Sequence, residues 1–162
     1  MATIYLGLGT NIGNKNENLM RAIEELSLAL GSCTACSSFI ETAPWGFKSE
    51  NSFLNCAAAF ETTLTPQQLL DTTERIEREL GRTTKSSGGV YHDRVIDIDI
   101  LLYGSAIVET PRLTIPHPLM HLRDFVLEPL AEIAPHTIHP KTGKSIEQLK
   151  KELGSSKMVK KD

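Results

Sequence analysis

The spacing of apolar residues along the chain predicts an alternation of strands and helices. Strands are predicted where apolar residues alternate with polar ones or form short runs, and helices where they recur every three or four residues. In chain order this gives strand 3–9, helix 16–30, strands 33–42 and 53–61, helix 66–80 and strand 95–102. Helical segments follow from about Leu119, over 126–134 and over 145–153. This order predicts an α+β fold, a ferredoxin-like α/β sandwich with a mainly antiparallel sheet and helices packed on it.

Local signals mark the ends of the two long helices. Gly31 is expected to end the first helix, and Gly81 the second. Thr65 and Pro66 are expected to begin the second helix, with Gln68 at the position that completes a capping box.

The first strand contains a glycine pattern that partly matches a nucleotide-binding loop. Gly7 and Gly9 open a G-x-G pattern, but Ile12 stands where a dinucleotide-binding loop would continue, and no Gly-Lys-Ser/Thr follows. The glycines are therefore predicted only to permit a turn.

Size and composition indicate one globular domain over residues 1–162, with a charged tail expected to fray from about residue 154. The net charge of −3 and the isoelectric point near 6.0 argue against a nucleic-acid partner or a membrane surface. No apolar run could span a bilayer, and the N-terminus lacks the features of a signal peptide, so a cytoplasmic location is predicted. A monomer is expected because no coiled-coil pattern is present.

Three cysteines are too few to suggest a zinc site. Cys33 and Cys36 have C-x-x-C spacing, but no second pair accompanies them, and Cys56 is distant in sequence. Reduced, buried or half-buried thiols are the expectation.

The strongest chemical signal is an acidic pair inside an apolar strand. Asp97 and Asp99 alternate with Ile96, Ile98 and Ile100, so both carboxylates should project from one face of the strand. Two such close carboxylates would repel each other unless a cation lies between them, and Mg²⁺ is the usual candidate when phosphates complete its shell. The alternative, that the pair lines a solvated sheet face, is less favoured.

Two further groups of residues could converge on the acidic pair. The basic residues match phosphate oxygens, although each alone could be ordinary surface charge: Arg82, Lys85, Arg94, Arg112 and Arg123. Aromatic and amide side chains could enclose a flat heterocycle, with core packing as the alternative: Trp45, Phe53, Asn55 and Phe125. His117, between two prolines, fits a structural or a phosphate-binding role equally. Together these residues indicate metal-assisted phosphoryl transfer to a planar small molecule.

The sequence resembles the 6-hydroxymethyl-7,8-dihydropterin pyrophosphokinases of folate biosynthesis from about residue 3 to residue 150. The resemblance rests on YLGLGTNIG, SSFIETAPWG, FLNCAAAFET, RIERELGR, DRVIDIDILLYG, RLTIPHPLM and RDFVLEPLAEIAP, in the family's order. It implies transfer of the ATP β,γ-pyrophosphoryl group to the hydroxymethyl oxygen of the pterin, with release of AMP.

The resemblance also implies roles for individual residues. Asp97 and Asp99 match the ligands of two Mg²⁺ ions, and Arg82 and Arg94 match basic residues that engage the phosphates during transfer. Pterin contacts are implied at Thr42, Trp45, Gly46, Phe53, Asn55 and Phe125. Nucleotide contacts are implied at Glu77, Ile100, Arg112, Thr114, His117 and Arg123.

Some positions depart from the family's common pattern. Tyr91, His92 and Asp93 stand where Trp-Gly-Pro is common, and Thr84 and His121 replace basic residues that are often present. These changes remove positive charge from the loop that closes over ATP, with Lys85 as a substitute. Tyr91 is predicted to replace the Trp as the apolar anchor of that loop.

Two other functions are weighed against this one. A different metal-dependent phosphoryl or nucleotidyl transferase could use the same D-x-D pair, and its ATP turnover would not depend on a pterin. A non-catalytic ferredoxin-like module, for instance for RNA, is disfavoured by the acidic isoelectric point.

Overall fold

The computed structural model describes residues 1–42, 52–81 and 95–161, with side chains described as far as residue 154. Within these residues, seven strands lie at Ala2–Thr10 (β1), Cys33–Cys36 (β2), Ile40–Thr42 (β3), Phe53–Thr62 (β4), Asp97–Tyr103 (β5), Val108–Glu109 (β6) and Thr114–Ile115 (β7). The same part of the chain contains four α-helices, at Lys15–Leu30 (α1), Pro66–Gly81 (α2), Asp124–Ile133 (α3) and Ile146–Lys161 (α4). A short 3₁₀ helix, Met120–Leu122, precedes α3.

The main sheet is antiparallel and has the order β2-β4-β1-β5, with β3 also paired to β4. Long β1 and β4 form its centre, and β5, which carries the acidic pair, lies at one edge. The α+β class, the antiparallel sheet and the helices packed on it are confirmed.

The two faces of the sheet bury separate apolar cores. On one face Leu6, Ala58 and Ile98 pack with residues of α1 and α2, including Leu26 and Ile76. This core forms because alternate residues of each strand point toward the helices.

On the other face, Ala57, Leu101 and Leu102 pack with α3 and α4. A register shift between Tyr5 and Leu6 leaves Leu101 without a partner in β1, which lets Leu101 and Leu102 join the same core.

The capping box predicted for the second helix is present. The Gln68 backbone N–H donates to Thr65 Oγ1 at 3.2 Å, and the Thr65 backbone N–H donates to Gln68 Oε1 at 2.9 Å. These two bonds pair backbone N–H groups that have no partner within the helix. Gly81 is the last residue of α2, and Gly31 follows the last residue of α1, as expected.

The predicted strand 33–42 is divided into β2 and β3, because the buried Ser37 interrupts it. The Ser37 backbone N–H donates to Ala57 O, and Ser37 Oγ accepts from the Ala57 N–H, both at 2.9 Å. Glu132 of α3 then accepts from the backbone N–H and the hydroxyl of Ser38. Side-chain hydrogen bonds thus replace the regular ladder here.

Other differences concern short elements and helix ends. The β6–β7 hairpin was not predicted, since strands of this length carry too little pattern to be recognised. Helix α3 begins at Asp124, ahead of the predicted start at Val126, so Phe125 lies in its first turn. Helix α4 continues to Lys161, beyond the predicted end at Leu153 and through the segment expected to fray.

A buried histidine supports the 3₁₀ helix that leads to α3. His139, only 3% exposed, accepts hydrogen bonds at Nδ1 from the backbone N–H groups of Lys141 and Thr142, both at 3.2 Å. Its ring meets that of His121 edge to face, with centroids 6.2 Å apart. Burial, together with the nearby His121 and Lys141, lowers the pKa of His139 below its usual 6.5.

We expect stability to fall as the pH drops below about 6.5, where the unfolded chain protonates this histidine and the folded chain resists doing so. His117, whose pKa burial also lowers, acts in the same direction. His139→Asn keeps an acceptor for the turn but does not titrate, so its free energy of unfolding, measured by urea titration across this pH range, should fall less steeply. His136→Asn, at an exposed position of the same segment, is the control. An unchanged slope in His139→Asn would contradict this prediction.

Candidate active site

On each of three neighbouring strands, two residues separated by one intervening residue lie on the same face of the sheet. Gly9 of β1 lies opposite Asn55 of β4 on one side and Asp97 of β5 on the other. Gly7 lies in the same way between Ala57 and Asp99. Since glycine has no side chain, the central strand contributes only backbone between the side chains of the two flanking strands.

The prediction that Gly7 and Gly9 serve only to permit a turn is wrong. Both lie inside β1, and neither has a positive φ angle. Gly13, with φ of 72°, is the glycine whose backbone requires the turn conformation. A Cβ atom at Gly9 would lie 2.8 Å from Asn55 Oδ1, so a side chain there would displace the amide.

Above these glycines lies a cleft with a volume of about 690 Å³. It opens where the core under α3 and α4 ends, and the N-terminal turn of α3 forms one of its walls. Seven of the predicted site residues line it: Thr42, Phe53, Asn55, Asp97, Asp99, Arg123 and Phe125. The structure thus brings the two predicted phenylalanines, the amide and the acidic pair together.

The amide and aromatic side chains form the part of the cleft suited to a flat ring. Asn55 is 7% exposed, and its Nδ2 donates to Thr42 Oγ1 at 3.0 Å, which fixes its orientation. Phe53 and Phe125 reach the cleft from β4 and α3 and supply apolar surface. The Arg123 guanidinium carbon lies 5.5 Å from the centre of the Phe125 ring, a cation–π contact that positions both.

The acidic pair has the arrangement expected from the strand period. Asp97 and Asp99 line the cleft, whereas Ile98 and Ile100 are buried in the opposite core. Among the described residues, no group of three or more acidic, histidine or cysteine side chains could hold a metal. Two carboxylates on one face nevertheless fit Mg²⁺, which typically takes one or two protein carboxylates and completes its shell with water and phosphate oxygens.

Glu77 supports the strand from which the acidic pair projects. Its Oε2 accepts the Ile98 backbone N–H at 2.7 Å, between Asp97 and Asp99. Among the described residues, β5 pairs only with β1, so its outward backbone groups need partners other than a strand. Helix α2 supplies such a partner at the residue between the two carboxylates.

His117 lies near the cleft without lining it. Its Nδ1 accepts the Leu119 backbone N–H at 3.2 Å, which leaves Nε2 as the donor in the neutral ring. Burial and the Arg123 charge lower the pKa of His117, and the Asp97 charge opposes them. The His117 imidazole therefore lies close enough to interact electrostatically with Arg123 and Asp97, two residues of the cleft.

Other predicted site residues also lie outside the cleft. Arg112 donates to Asp71 at 3.1 Å and to Glu74 at 2.9 Å, and these carboxylates raise its pKa. Ile100 is 5% exposed, so only its backbone could meet a ligand. Thr114 lies in β7.

Several predicted residues lie outside the described part of the chain. These are Trp45, Gly46, Arg82 and Arg94, together with Thr84, Lys85 and the Tyr91–Asp93 segment. His121, one of the departures noted above, is described, and it packs against His139 and does not line the cleft.

The residues that sequence reasoning missed include Gly7, Gly9, Leu122 and Asp124, all of which line the cleft. A signal for the glycines was available, because G-x-G, F-x-N and D-x-D share a period of two on three strands. Their alignment required the strand register, which the sequence pattern did not provide. For Leu122 and Asp124 there was no comparable signal.

Comparison with known proteins identifies relatives over most of the chain. Residues 5–135 match the model of the 7,8-dihydro-6-hydroxymethylpterin-pyrophosphokinase (HPPK) family. A 2-amino-4-hydroxy-6-hydroxymethyldihydropteridine pyrophosphokinase of Porphyromonas gingivalis is 51% identical over 141 residues, covering 86% of this chain and 95% of the relative. The protein of the same description from Aquifex aeolicus is 41% identical over 152 residues, covering 94% and 92%.

Solved structures share the fold at much lower identity. An HPPK-DHPS chain crystallised in complex with substrates superposes with a TM-score of 0.74 at 16% identity, covering 96% of this chain. Plasmodium falciparum HPPK-DHPS with pteroate gives a TM-score of 0.75 at 16% identity, covering 93%. This chain spans 44% and 42% of those chains, respectively. These matches support the ferredoxin-like fold.

The support that Glu77 gives to β5 leads to a stability prediction. Glu77→Ala leaves the Ile98 N–H without its side-chain acceptor, so we expect a loss of about 1–3 kcal/mol in the free energy of unfolding. Hydrogen exchange at the Ile98 amide should also accelerate. Denaturant unfolding and exchange measured by NMR would test both effects.

Glu79→Ala is the matched control on the same helix. Glu79 is exposed and pairs with Arg75 at 3.2 Å, four residues earlier, so its loss should cost less than about 0.5 kcal/mol. Equal effects of the two substitutions would argue that Glu77 does not hold β5.

Proposed function

This chain belongs to the 7,8-dihydro-6-hydroxymethylpterin-pyrophosphokinase family, and we propose that it transfers the pyrophosphoryl group of ATP to 6-hydroxymethyl-7,8-dihydropterin in folate biosynthesis. The products are the pterin diphosphate and AMP. The observation that carries this proposal is the alignment of Asn55, Gly9 and Asp97 across three strands. It joins a pocket for a flat ring directly to a pair of carboxylates.

The pterin is assigned to the aromatic side of the cleft. Phe53 and Phe125 stack on its two faces, and Asn55, held by Thr42, reads its hydrogen-bonding edge. The same role is proposed for Trp45 and Gly46, which lie outside the described residues. Gly9 is essential to this arrangement because it leaves the Asn55 amide in place and the floor of the cleft open.

Asp97 and Asp99 are proposed to hold Mg²⁺, two ions according to the family resemblance. Bound there, magnesium would neutralise the phosphate charges of ATP and orient them. The fit rests on the donor set, two carboxylates on one strand face beside an open cleft. Glu77 contributes by holding the backbone between them.

The nucleotide is assigned to the region beside the Asp97 and Asp99 carboxylates that lies toward β7 and the start of α3. Arg123 lines the cleft, and neutral His117 offers an Nε2–H donor for a phosphate oxygen. Backbone groups of Ile100 and the side chain of Thr114 are proposed as further contacts. Arg112 would have to exchange Asp71 and Glu74 for the nucleotide.

In the reaction, the hydroxymethyl oxygen of the pterin attacks the β-phosphorus of ATP. The bond from that phosphorus to the oxygen bridging the α- and β-phosphates breaks, AMP leaves with the bond electrons, and the hydroxyl proton passes to solvent. The protein contributes by positioning the two substrates and by neutralising charge, and needs no strong base. Arg82 and Arg94 are proposed to stabilise the transferring phosphates.

The remaining aspects of the proposal concern the whole molecule. Helices in the described part of the chain are too short or too polar to cross a membrane. We propose a monomer that acts on small molecules in the cytoplasm and does not bind nucleic acid.

The reaction is tested by AMP release from ATP and Mg²⁺, with and without 6-hydroxymethyl-7,8-dihydropterin. AMP should appear only when the pterin is present. Asp97→Asn should lower turnover by a factor of about 100 or more, because the phosphate-binding charge is lost. Glu24→Gln, an exposed change on α1 far from the cleft in the fold, should not alter turnover.

Other products would contradict specific parts of the proposal. ADP in place of AMP would indicate a kinase that transfers a single phosphoryl group. Pterin-independent ATP turnover would favour the other class of metal-dependent transferase. If Asp97→Asn left pterin-dependent turnover intact, the assignment of the carboxylate pair would be wrong.

The two glycines of β1 offer a matched pair of substitutions for the pterin pocket. Gly9→Ala should weaken pterin binding at least about tenfold, because its methyl group would lie 2.8 Å from Asn55 Oδ1. Gly7→Ala should have a smaller effect, since the nearest atom is the flexible Leu101 Cδ1 at 3.4 Å. Isothermal titration with the pterin would measure both. Equal losses would show that Asn55 is not the group displaced.

A further inference from the structure

Lys15, the first residue of α1, contacts the strands that carry the ring-binding residues of the cleft. Its Nζ donates to the Ser52 backbone O at 3.0 Å and to Ser52 Oγ at 3.2 Å. The Ser52 hydroxyl in turn donates to Glu41 Oε2 at 2.6 Å, and that oxygen lies 3.8 Å from Lys15 Nζ. These three residues, called here the β3–β4 clamp, join the start of a helix to both strands of that pair.

The strand side of the clamp directly adjoins the cleft. Ser52 precedes Phe53, the first residue of β4. Glu41 precedes Thr42 of β3, whose hydroxyl accepts the hydrogen bond from Asn55. Phe53 and Thr42 lie opposite each other in the pairing of the two strands. The clamp therefore holds β3 and β4 together at the point where they present side chains to the cleft.

The turn between β1 and α1 fixes the position of Lys15. Asn18 Nδ2 donates to Thr10 Oγ1 at 3.1 Å and to Ile12 O at 2.8 Å. Thr10 is the fully buried last residue of β1, and Asn14 caps the helix that Lys15 begins. Lys15 thus connects the central strand of the sheet to the clamped end of β3 and β4.

The charge of Lys15 is held at an unfavourable place on its helix. A cation at a helix N-terminus is destabilised by the helix dipole, so its contacts must offset this cost. The Glu41 side chain is 65% exposed, and an exposed ion pair contributes little. The Lys15 side chain is only 27% exposed, and hydrogen bonds from a charged donor are stronger. The bonds to Ser52 therefore contribute most of the stabilisation.

We propose that Lys15 is a positioning residue for the pterin. By binding Ser52, it keeps Phe53 beside Thr42, so that the aromatic ring and the hydroxyl that holds the amide are in place before the pterin binds. Lys15 is not among the described residues that line the cleft, so it acts through its neighbours. The acidic pair lies on β5, on the other side of β1. This inference rests on the proposed transfer reaction, and it assigns Lys15 to pterin binding and not to the transfer step.

The first test is AMP release at saturating ATP and Mg²⁺, with the concentration of 6-hydroxymethyl-7,8-dihydropterin varied. Lys15→Met keeps the apolar stem but loses the donor, so KM for the pterin should rise at least about fivefold while kcat changes less than about twofold. Lys15→Arg keeps a charged donor, so its KM should stay within about threefold of the wild type. Lys150→Met, the same exchange at an exposed position of α4, is the control and should match the wild type.

Glu41→Gln separates the ion pair from the bonds to Ser52. It removes the negative charge but leaves an oxygen that can accept from the Ser52 hydroxyl, so KM for the pterin should rise less than about twofold. A loss as large as that of Lys15→Met would overturn the assignment of the effect to the Ser52 bonds.

The second test needs neither substrate. Hydrogen exchange of the backbone amides of β3, measured by NMR in the free chain, should be faster in Lys15→Met than in Lys150→Met, because the clamp is lost only in the first. A raised KM without faster exchange in β3 would mean that Lys15 meets the pterin directly, and the positioning role would be wrong.

The remaining outcomes distinguish this inference from the proposed function. If the wild type shows pterin-dependent AMP release and Lys15→Met has the same KM, the positioning role is overturned while the transfer reaction stands. A fall in kcat with unchanged KM would also overturn it, as would a loss in Lys15→Arg equal to that in Lys15→Met. Without pterin-dependent turnover in the wild type, the proposed function fails, and the role of Lys15 in pterin binding fails with it.

Discussion

The absence of side chains at Gly7 and Gly9 is the constraint on which the rest of the site depends. These glycines lie in the central strand, where any larger residue would occupy the space between β4 and β5. Because strand pairing holds Asn55, Gly9 and Asp97 in one row, the Asn55 amide on β4 and the Asp97 carboxylate on β5 lie on either side of the bare backbone of β1. The cleft is thus created by the sheet itself.

The two helical layers contribute unequally to this arrangement. Helices α1 and α2 build a continuous core on one face with β1, β4 and β5, which makes the sheet a rigid support. On the other face, α3 and α4 cover Ala57, Leu101 and Leu102, and the cleft opens where this covering stops. The start of α3 brings Arg123 and Phe125 to the edge of the cleft. The 3₁₀ helix, whose His121 packs against the His139 ring, precedes the start of α3.

Individual polar groups connect the packing to the chemistry. Glu77 reaches from the first helical layer to the backbone of β5, so the strand that presents Asp97 and Asp99 is held on both of its edges. Burial and the Arg123 charge lower the pKa of His117 and so favour its neutral form, which offers one defined donor. Such contacts fix the positions of groups that a transfer reaction requires to be in place before the substrates meet.

The sequence by itself determined the fold class, the two long helices with the capping box at Thr65, and the projection of Asp97 and Asp99 from the same face of their strand. These features depend on local periodicity and on contacts between residues close along the chain. Residue types alone singled out Phe53, Asn55 and Phe125 as side chains that could enclose a flat ring, and the resemblance to a known family implied that this ring is a pterin; all three residues line the observed cleft. Only the tertiary structure revealed the role of Gly9, the break at Ser37 and the contact of Glu77 with Ile98. Each of these depends on which residues face one another across strands or between a helix and a strand, and that register is set by packing of the whole sheet.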